Sequence, residues 1–145
     1  MIMRAGIPKQ QIDLLGQVPL FTACSQAELR SIARLGTRIS AEPGAILTAQ
    51  GKPGSEFFLV LEGTATCKVG RREVRKFSSG NYFGELALLH GGYRSATVEA
   101  VTPMELLVLD AREFRSLVLE NPTVALKVLS RLAERLTEAD AQYSD

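Results

Sequence analysis

Apolar spacing divides the chain into three stretches. Up to about Leu35 the apolar residues recur at helical intervals. Ile12, Leu14 and Leu15 predict one short helix, Pro19 interrupts, and Leu29, Ile32, Ala33 and Leu35 predict a second. "SQAE" (Ser25 to Glu28) opens that second helix as a capping box, in which serine and glutamate satisfy each other's orphan backbone donors. From about Thr37 to Asp110 short apolar runs are punctuated by "EPGA", "QGKPGSE", "EGT", "SSGN" and "HGGY". "EFFLVLEG" predicts a buried strand that stops at Gly63, with "TATCKV" as its hairpin partner. "EVRKF", "ATVEAV" and "MELLVLD" predict further strands. Strands about 8 to 12 residues apart imply an antiparallel sandwich, jelly roll or barrel, not a doubly wound parallel sheet.

Helical spacing returns after Asp110. "DARE" (Asp110 to Glu113) is a capping pattern before Phe114, Leu117 and Val118. Asn121 and Pro122 offer an N-cap followed by proline at the first helical position. The helix after them carries Ala125, Val128, Leu129, Leu132, Leu136 and Ala139 on one face, with Leu126 and Ala133 beside that stripe. A helix apolar over more than one face can pack on its own domain and also on a partner.

Composition narrows the functional classes. Seventeen basic and sixteen acidic residues leave a formal charge of +1 over 145 residues, without the basic excess of a nucleic-acid reader. No apolar run approaches the roughly 18 residues that span a bilayer. The N-terminus, with Arg4 and Lys9, lacks the continuous apolar core of a signal peptide. Cys24 and Cys67 have neither metal-ligand spacing nor a disulfide framework around them, so a reduced, cytoplasmic setting is expected. No activated nucleophile, metal cluster or paired catalytic carboxylates stand out. The expectation is therefore a binding protein, not an enzyme, with no metal and no cofactor.

The stretch "NYFGELALLHGGYRSATVEA" (Asn81 to Ala100) carries the chemistry. Glu85 and Arg94 stand among apolar residues, glycines and small side chains. After Gly84, "ELALL" predicts a single helical turn, whose exposed N–H groups favour an anion. Arg94 adds a planar guanidinium suited to two oxygens of one phosphate. Ser95 adds a hydroxyl, and Ala96 leaves the next backbone donor accessible. Glu85 would repel a phosphate but accepts well from a sugar hydroxyl one ring away. Together they describe a nucleotide whose phosphate lies close to its ribose. Triphosphates fit poorly, because there is no "GxxxxGK[ST]" loop. A plain ion pair between Glu85 and Arg94, with no ligand, is the alternative. His90 reads as a solvated loop residue, and Arg71, Arg72, Arg75 and Lys76 as a solvated hairpin edge.

"FGELALL" followed by "RSATV" resembles the phosphate-binding cassette of the cyclic nucleotide-binding domain family. The likeness extends from "LFTACSQAEL" through "GSEFFLVLEGTATC" to the "NPTVALKVLSRLAERL" helix. It implies one domain over residues 1–145: a helical segment (1–36), an antiparallel β jelly roll (37–110) with its cassette at 83–97, and C-terminal hinge and lid helices (111–145). By this resemblance Arg94 pairs with a cyclic phosphate, Glu85 accepts from the ribose 2′-hydroxyl with Gly84 beside it, and Ser95 and Ala96 donate to phosphate. Phe83, Leu86 and Ala87 complete the cassette, while Cys67 and Val74 pack against the base. The ligand implied is cAMP or cGMP, with cAMP favoured by the family's usage alone. A homodimer or an effector domain would meet the C-terminal helix, with no nucleic acid and no membrane bound by this chain. Where catabolite activators carry adenine-reading hydroxyls late in the long helix, this chain has Ala139 and Asp140, and no helix-turn-helix follows. A ligand-free jelly roll used for docking is the competing expectation.

Overall fold

The computed structural model describes residues 7–143, with side chains described through residue 138. The described residues form two compact units: residues 35–115, and residues 7–34 together with 116–143.

The larger unit is built on eight strands. In chain order they are β1 (Thr37–Ala41), β2 (Ile46–Thr48), β3 (Glu56–Glu62), β4 (Ala65–Val69), β5 (Arg72–Phe77), β6 (Tyr82–Phe83), β7 (Thr97–Ala100) and β8 (Met104–Asp110). They form two four-stranded sheets, ordered β1-β8-β3-β6 and β2-β7-β4-β5, and every strand pairing in them is antiparallel. The expected jelly-roll architecture is therefore present.

Alternation explains the interior. Phe58 and Val60 of β3, Leu106 and Val108 of β8 and Phe83 of β6 face inward from one sheet. Ala65 of β4, Phe77 of β5 and Val98 and Ala100 of β7 meet them from the other, with Cys67 half-buried at the margin. β3 and β8 are also apolar at the intervening positions: Phe57, Leu59, Leu107 and Leu109 are buried too. Strands buried on both faces read as continuous apolar runs, which is why "EFFLVLE" and "MELLVLD" show no alternation.

One pairing expectation fails. β3 and β4 are not a hairpin: β3 pairs with β6 and β8, whereas β4 pairs with β5 and β7. Gly63 instead carries the chain from one sheet to the other. Its φ is +92°, and a Cβ there would run into the Pro103 carbonyl, so backbone closeness as well as turn conformation demands glycine.

The smaller unit contains α1 (Lys9–Gly16), a 3-10 turn at Pro19–Phe21, most of α2 (Gln26–Leu35) and the last helix. The capping box forms as expected: the Glu28 N–H donates to Ser25 Oγ at 3.2 Å, and the Ser25 N–H donates to Glu28 Oε1 at 2.8 Å. That same carboxylate accepts from Lys127 of the last helix. Lys127 and then the Ser25 N–H hold the Glu28 carboxyl below its usual range.

Between β6 and β7 lies a one-turn helix, α3 (Ala87–His90). α4 (Ala111–Glu120) follows β8 directly, and α5 runs from Pro122 to Tyr143. Asp110 lies directly before α4, and its carboxylate accepts from Ser55 Oγ at 3.1 Å. The cap of α5 differs in detail. Asn121 gives α5 its backbone carbonyl, which accepts from Val124 and Ala125, while its side chain turns back to the Leu117 carbonyl. The expected stripe on α5 is also corrected. Val124 and Val128 are the buried residues, and Leu129 and Leu136 are exposed. The helix packs on the 3-10 turn, where Arg131 Nε donates to the Pro19 carbonyl at 3.3 Å. The side chains of Ala139 and Asp140 lie outside the described residues.

Candidate functional site

Two segments of the larger unit run antiparallel and frame the cassette. The Arg94 N–H donates to the Lys52 carbonyl at 2.8 Å, the Gly51 N–H to the Arg94 carbonyl at 2.9 Å and the Gly54 N–H to the Gly92 carbonyl at 3.0 Å. Pro53 and Tyr93 form a bridge between them. Farther along, Thr48 Oγ1 donates to the Ala96 carbonyl at 3.1 Å, and Thr97 Oγ1 accepts from the Gln50 N–H at 3.0 Å. The "QGKPGSE" loop is therefore a backbone brace for "GGYRSAT".

Within this frame the Arg94 guanidinium is half-buried. Its Nη2 donates to the Glu56 carbonyl at 2.8 Å, and its Cζ lies 5.9 Å from the Phe58 ring centroid. Burial pushes the guanidinium below its usual value, and the Glu56 carboxylate pushes it back up. An arginine so placed remains cationic near neutrality.

Two glycines make the space. A Cβ on Gly54 would overlap Arg94 Nε and fall 2.6 Å from Cζ and 2.8 Å from Nη2. A Cβ on Gly84 would fall 2.6 Å from the Glu56 carbonyl and 2.8 Å from Arg94 Nη1, at a backbone φ of +81°. Gly84 thus leaves room for the Arg94 guanidinium beside the Glu56 carbonyl. Gly54 and the Glu56 carbonyl were not anticipated from sequence. The loop "KPGSE" marks a turn, but only tertiary pairing reveals that it lies against residue 94.

The remaining cassette residues occupy distinct environments. Phe83 is buried in the interior, its ring 4.8 Å from Phe58 and 4.9 Å from Phe77. Glu85 is half-buried and Leu86 is exposed. Ala87 is buried at the start of α3, and its N–H closes the turn on the Gly84 carbonyl at 3.1 Å. Ser95 is exposed and Ala96 half-buried, with His90 exposed at the end of α3 as expected.

Cys67 sits on β4 directly opposite Arg75 of β5. Burial pushes its thiol up from the usual value, and the nearby Arg75 charge pulls it down. The β4–β5 ladder slips by one residue just beyond this pair, and Val74 is the extra residue, 51% exposed. Among the described residues no group of His, Cys, Asp and Glu could hold a metal ion. No described helix is long and apolar enough to cross a membrane.

This geometry has close counterparts. A family model described as "Cyclic nucleotide-binding domain" matches residues 38–121. A cyclic nucleotide-gated potassium channel of Rhizobium etli is 35% identical over 123 residues, covering 85% of this chain and 34% of the channel. The regulatory subunit of cAMP-dependent protein kinase from Schizosaccharomyces pombe is 35% identical over 107 residues, covering 73% of this chain and 26% of the subunit. The chain thus spans about a third or less of the length of these curated relatives. Among solved structures, the N-terminal domain of a transcriptional regulator from Streptomyces coelicolor A3(2) superposes with a TM-score of 0.86 at 25% identity, covering 92% of this chain and 96% of that one. With the braced cassette, the glycine-cradled arginine and the two-sheet roll all in place, the chain belongs to the cyclic nucleotide-binding domain family.

Proposed function

We propose that this chain is a regulatory sensor domain whose β roll binds a 3′,5′-cyclic nucleotide and passes the event on through its C-terminal helix, with no catalytic step of its own. The observation that carries this reading is the half-buried Arg94 guanidinium, cradled by Gly54 and Gly84 and anchored by one nitrogen to the Glu56 carbonyl. A guanidinium has five N–H donors, so the others remain to meet a compact anion. In this reading Arg94, Ser95 and the backbone at Ala96 hold the cyclic phosphate. Glu85 accepts from the ribose 2′-hydroxyl beside Gly84. Phe83, Leu86 and Ala87 shape the cassette, and Cys67 and Val74 give apolar surface to the base.

cAMP is the first candidate ligand because relatives are named for it, among them the kinase regulatory subunit. That ground is independent of the residues on this chain's own base-side strands. Transmission is supported by a short physical chain inside the β unit. Gly54 touches the Arg94 site, its neighbour Ser55 binds the Asp110 carboxylate, and the Ser55 carbonyl accepts from the Ala111 N–H at the start of α4. A ligand that draws Arg94 inward pulls on this connection, and its better contacts in one state would shift the equilibrium. We place the domain in the cytoplasm, where a cyclic nucleotide signal would reach it.

One observation favours a second reading, a jelly roll used for docking without ligand. Leu126, Leu129 and Leu136 are 67%, 60% and 67% exposed, and with exposed Ala133 they recur at alternating steps of three and four residues along α5. That stripe also suits a homodimer or an effector domain in the sensor reading. Thermal melting with cAMP, cGMP, 5′-AMP and no nucleotide separates the two, because a ligand specific for the folded state raises the melting temperature by linkage. A rise with cyclic nucleotides alone supports the sensor. A flat panel at millimolar nucleotide rejects it and leaves the docking reading.

A further inference from the structure

The loop that braces Arg94 also reaches the β4–β5 hairpin. That hairpin closes through a two-residue turn, with Val69 paired to Arg72 and Gly70 and Arg71 between them. The Gly70 N–H donates to Gln50 Oε1 at 2.7 Å. Gln50 itself belongs to the brace. Its backbone N–H donates to Thr97 Oγ1. The next two residues exchange bonds with the Arg94 backbone: Gly51 donates to its carbonyl, and Lys52 accepts from its N–H. One exposed side chain therefore joins the tip of a hairpin to the backbone that holds the arginine.

Strand pairing explains why the tip needs such a tie. β4 pairs with β7 from Ala65 to Lys68, and that ladder stops before Val69. β5 is the last strand of its sheet. Beyond Lys68 the hairpin is thus a two-stranded ribbon, which is marginally stable without further support. The slip at Val74 interrupts its own ladder as well. A hydrogen bond at the turn restrains the end of the ribbon that sheet pairing leaves free.

We infer that Gln50 is a positioning residue that holds the hairpin at a set distance from the Arg94 loop, and so keeps the nucleotide pocket at its working width. The inference rests on the cyclic nucleotide reading above. With the phosphate at Arg94 and the base against Cys67 and Val74, one wall of the pocket is the cassette and the other is this hairpin. Gln50 acts by joining the walls. A hairpin already restrained loses less freedom when ligand arrives. A released one spends part of its time at other widths, and apparent affinity falls by the fraction that is competent. That fraction is a property of the protein, so the loss is the same for cAMP and cGMP.

The test is calorimetric titration of wild type, Gln50→Leu and Gln50→Glu with both nucleotides, together with amide hydrogen exchange read by NMR. Leucine has no acceptor, whereas a glutamate carboxylate still accepts from the Gly70 N–H. Gln50→Leu should bind cAMP and cGMP about three- to tenfold more weakly, the range of one neutral hydrogen bond. Its Gly70 N–H should exchange faster, while the Arg94 N–H keeps its wild-type rate. Gln50→Glu should restore both affinity and Gly70 protection. Wild-type affinity in Gln50→Leu, an equal loss in Gln50→Glu, or unequal losses for the two nucleotides overturns the positioning role. Faster exchange at the Arg94 N–H overturns it too, because the side chain would then support the brace and not the hairpin. Each of these outcomes leaves the cyclic nucleotide reading standing. Failure of wild type to bind either nucleotide at millimolar concentration overturns that reading, and the role of Gln50 falls with it.

Discussion

Arg94 and Arg75 cap the two ends of one run of aromatic rings, yet they are held by different means. Arg94 is half-buried, anchored to a backbone carbonyl and enclosed by two glycines, inside a loop braced by backbone hydrogen bonds. Arg75 is exposed and rests on a single ring at the edge of a sheet. Rotamer freedom has largely been removed from the first, whereas the second keeps it. Such anchoring suits the phosphate role proposed for Arg94, because less freedom is left to lose on binding.

The comparison can be broken first at the phosphate end. Charge-assisted hydrogen bonds contribute about 1.5–3 kcal/mol each, so Arg94→Ala should weaken cyclic nucleotide binding tenfold to more than a hundredfold while the β roll stays folded. Titration showing wild-type affinity in that variant would remove the phosphate role. The two cradle glycines should then part company. Gly84→Ala forces a side chain into positive φ and against the Glu56 carbonyl, which should cost about 2 kcal/mol or more of stability, read in chemical denaturation. At Gly54 the three atoms nearest an added Cβ all belong to the movable Arg94 side chain. The stability of Gly54→Ala should change by less than about 1 kcal/mol, while affinity falls roughly tenfold because the guanidinium is displaced. If Gly54→Ala binds normally, the cradle is not part of the site.

The smallest effect is a control on the helical unit. Glu28 is held below the usual carboxyl range by Lys127 and the Ser25 N–H. A depressed carboxyl contributes stability above its unfolded pKa, and that contribution is lost as pH falls through the folded value. Wild type should therefore lose stability on acidification below about pH 4. Glu28→Gln should flatten that part of the profile and cost about 1 kcal/mol at neutral pH. Nucleotide affinity should not follow, since Glu28 belongs to the unit that lacks the cassette.

What could be read locally was largely right. The "SQAE" box forms both of its bonds because all four groups lie within one turn. The glycine at 84 and the arginine at 94 fell in one motif, and the structure brings them together. Errors came where the reading assumed that neighbours in sequence are neighbours in space. "TATCKV" was expected to pair with "EFFLVLEG", but the chain changes sheet at Gly63. The bond from Ser55 to Asp110 joins residues 55 positions apart, which no local capping pattern could reveal. On α5, helical spacing found an apolar helix but not which side it buries, because apolar residues cover more than half of its circumference. Val124 and Val128 were chosen by contact, leaving Leu129 and Leu136 exposed.

By itself, then, the sequence determined the order of helix, β roll and helix, the cassette motif with its glycine, acid and arginine, and the family these imply. Each of these depends on periodicity, turn chemistry and short spacings that neighbouring residues settle among themselves. Only the tertiary structure decided that Gly54 and the Glu56 carbonyl enclose a guanidinium 38 to 40 residues away in the chain, and that Arg75 shares a face with Phe77. Those relations follow from strand register and loop pairing. Register is a property of two distant segments at once, and a slip of one residue moves every side chain to the other face.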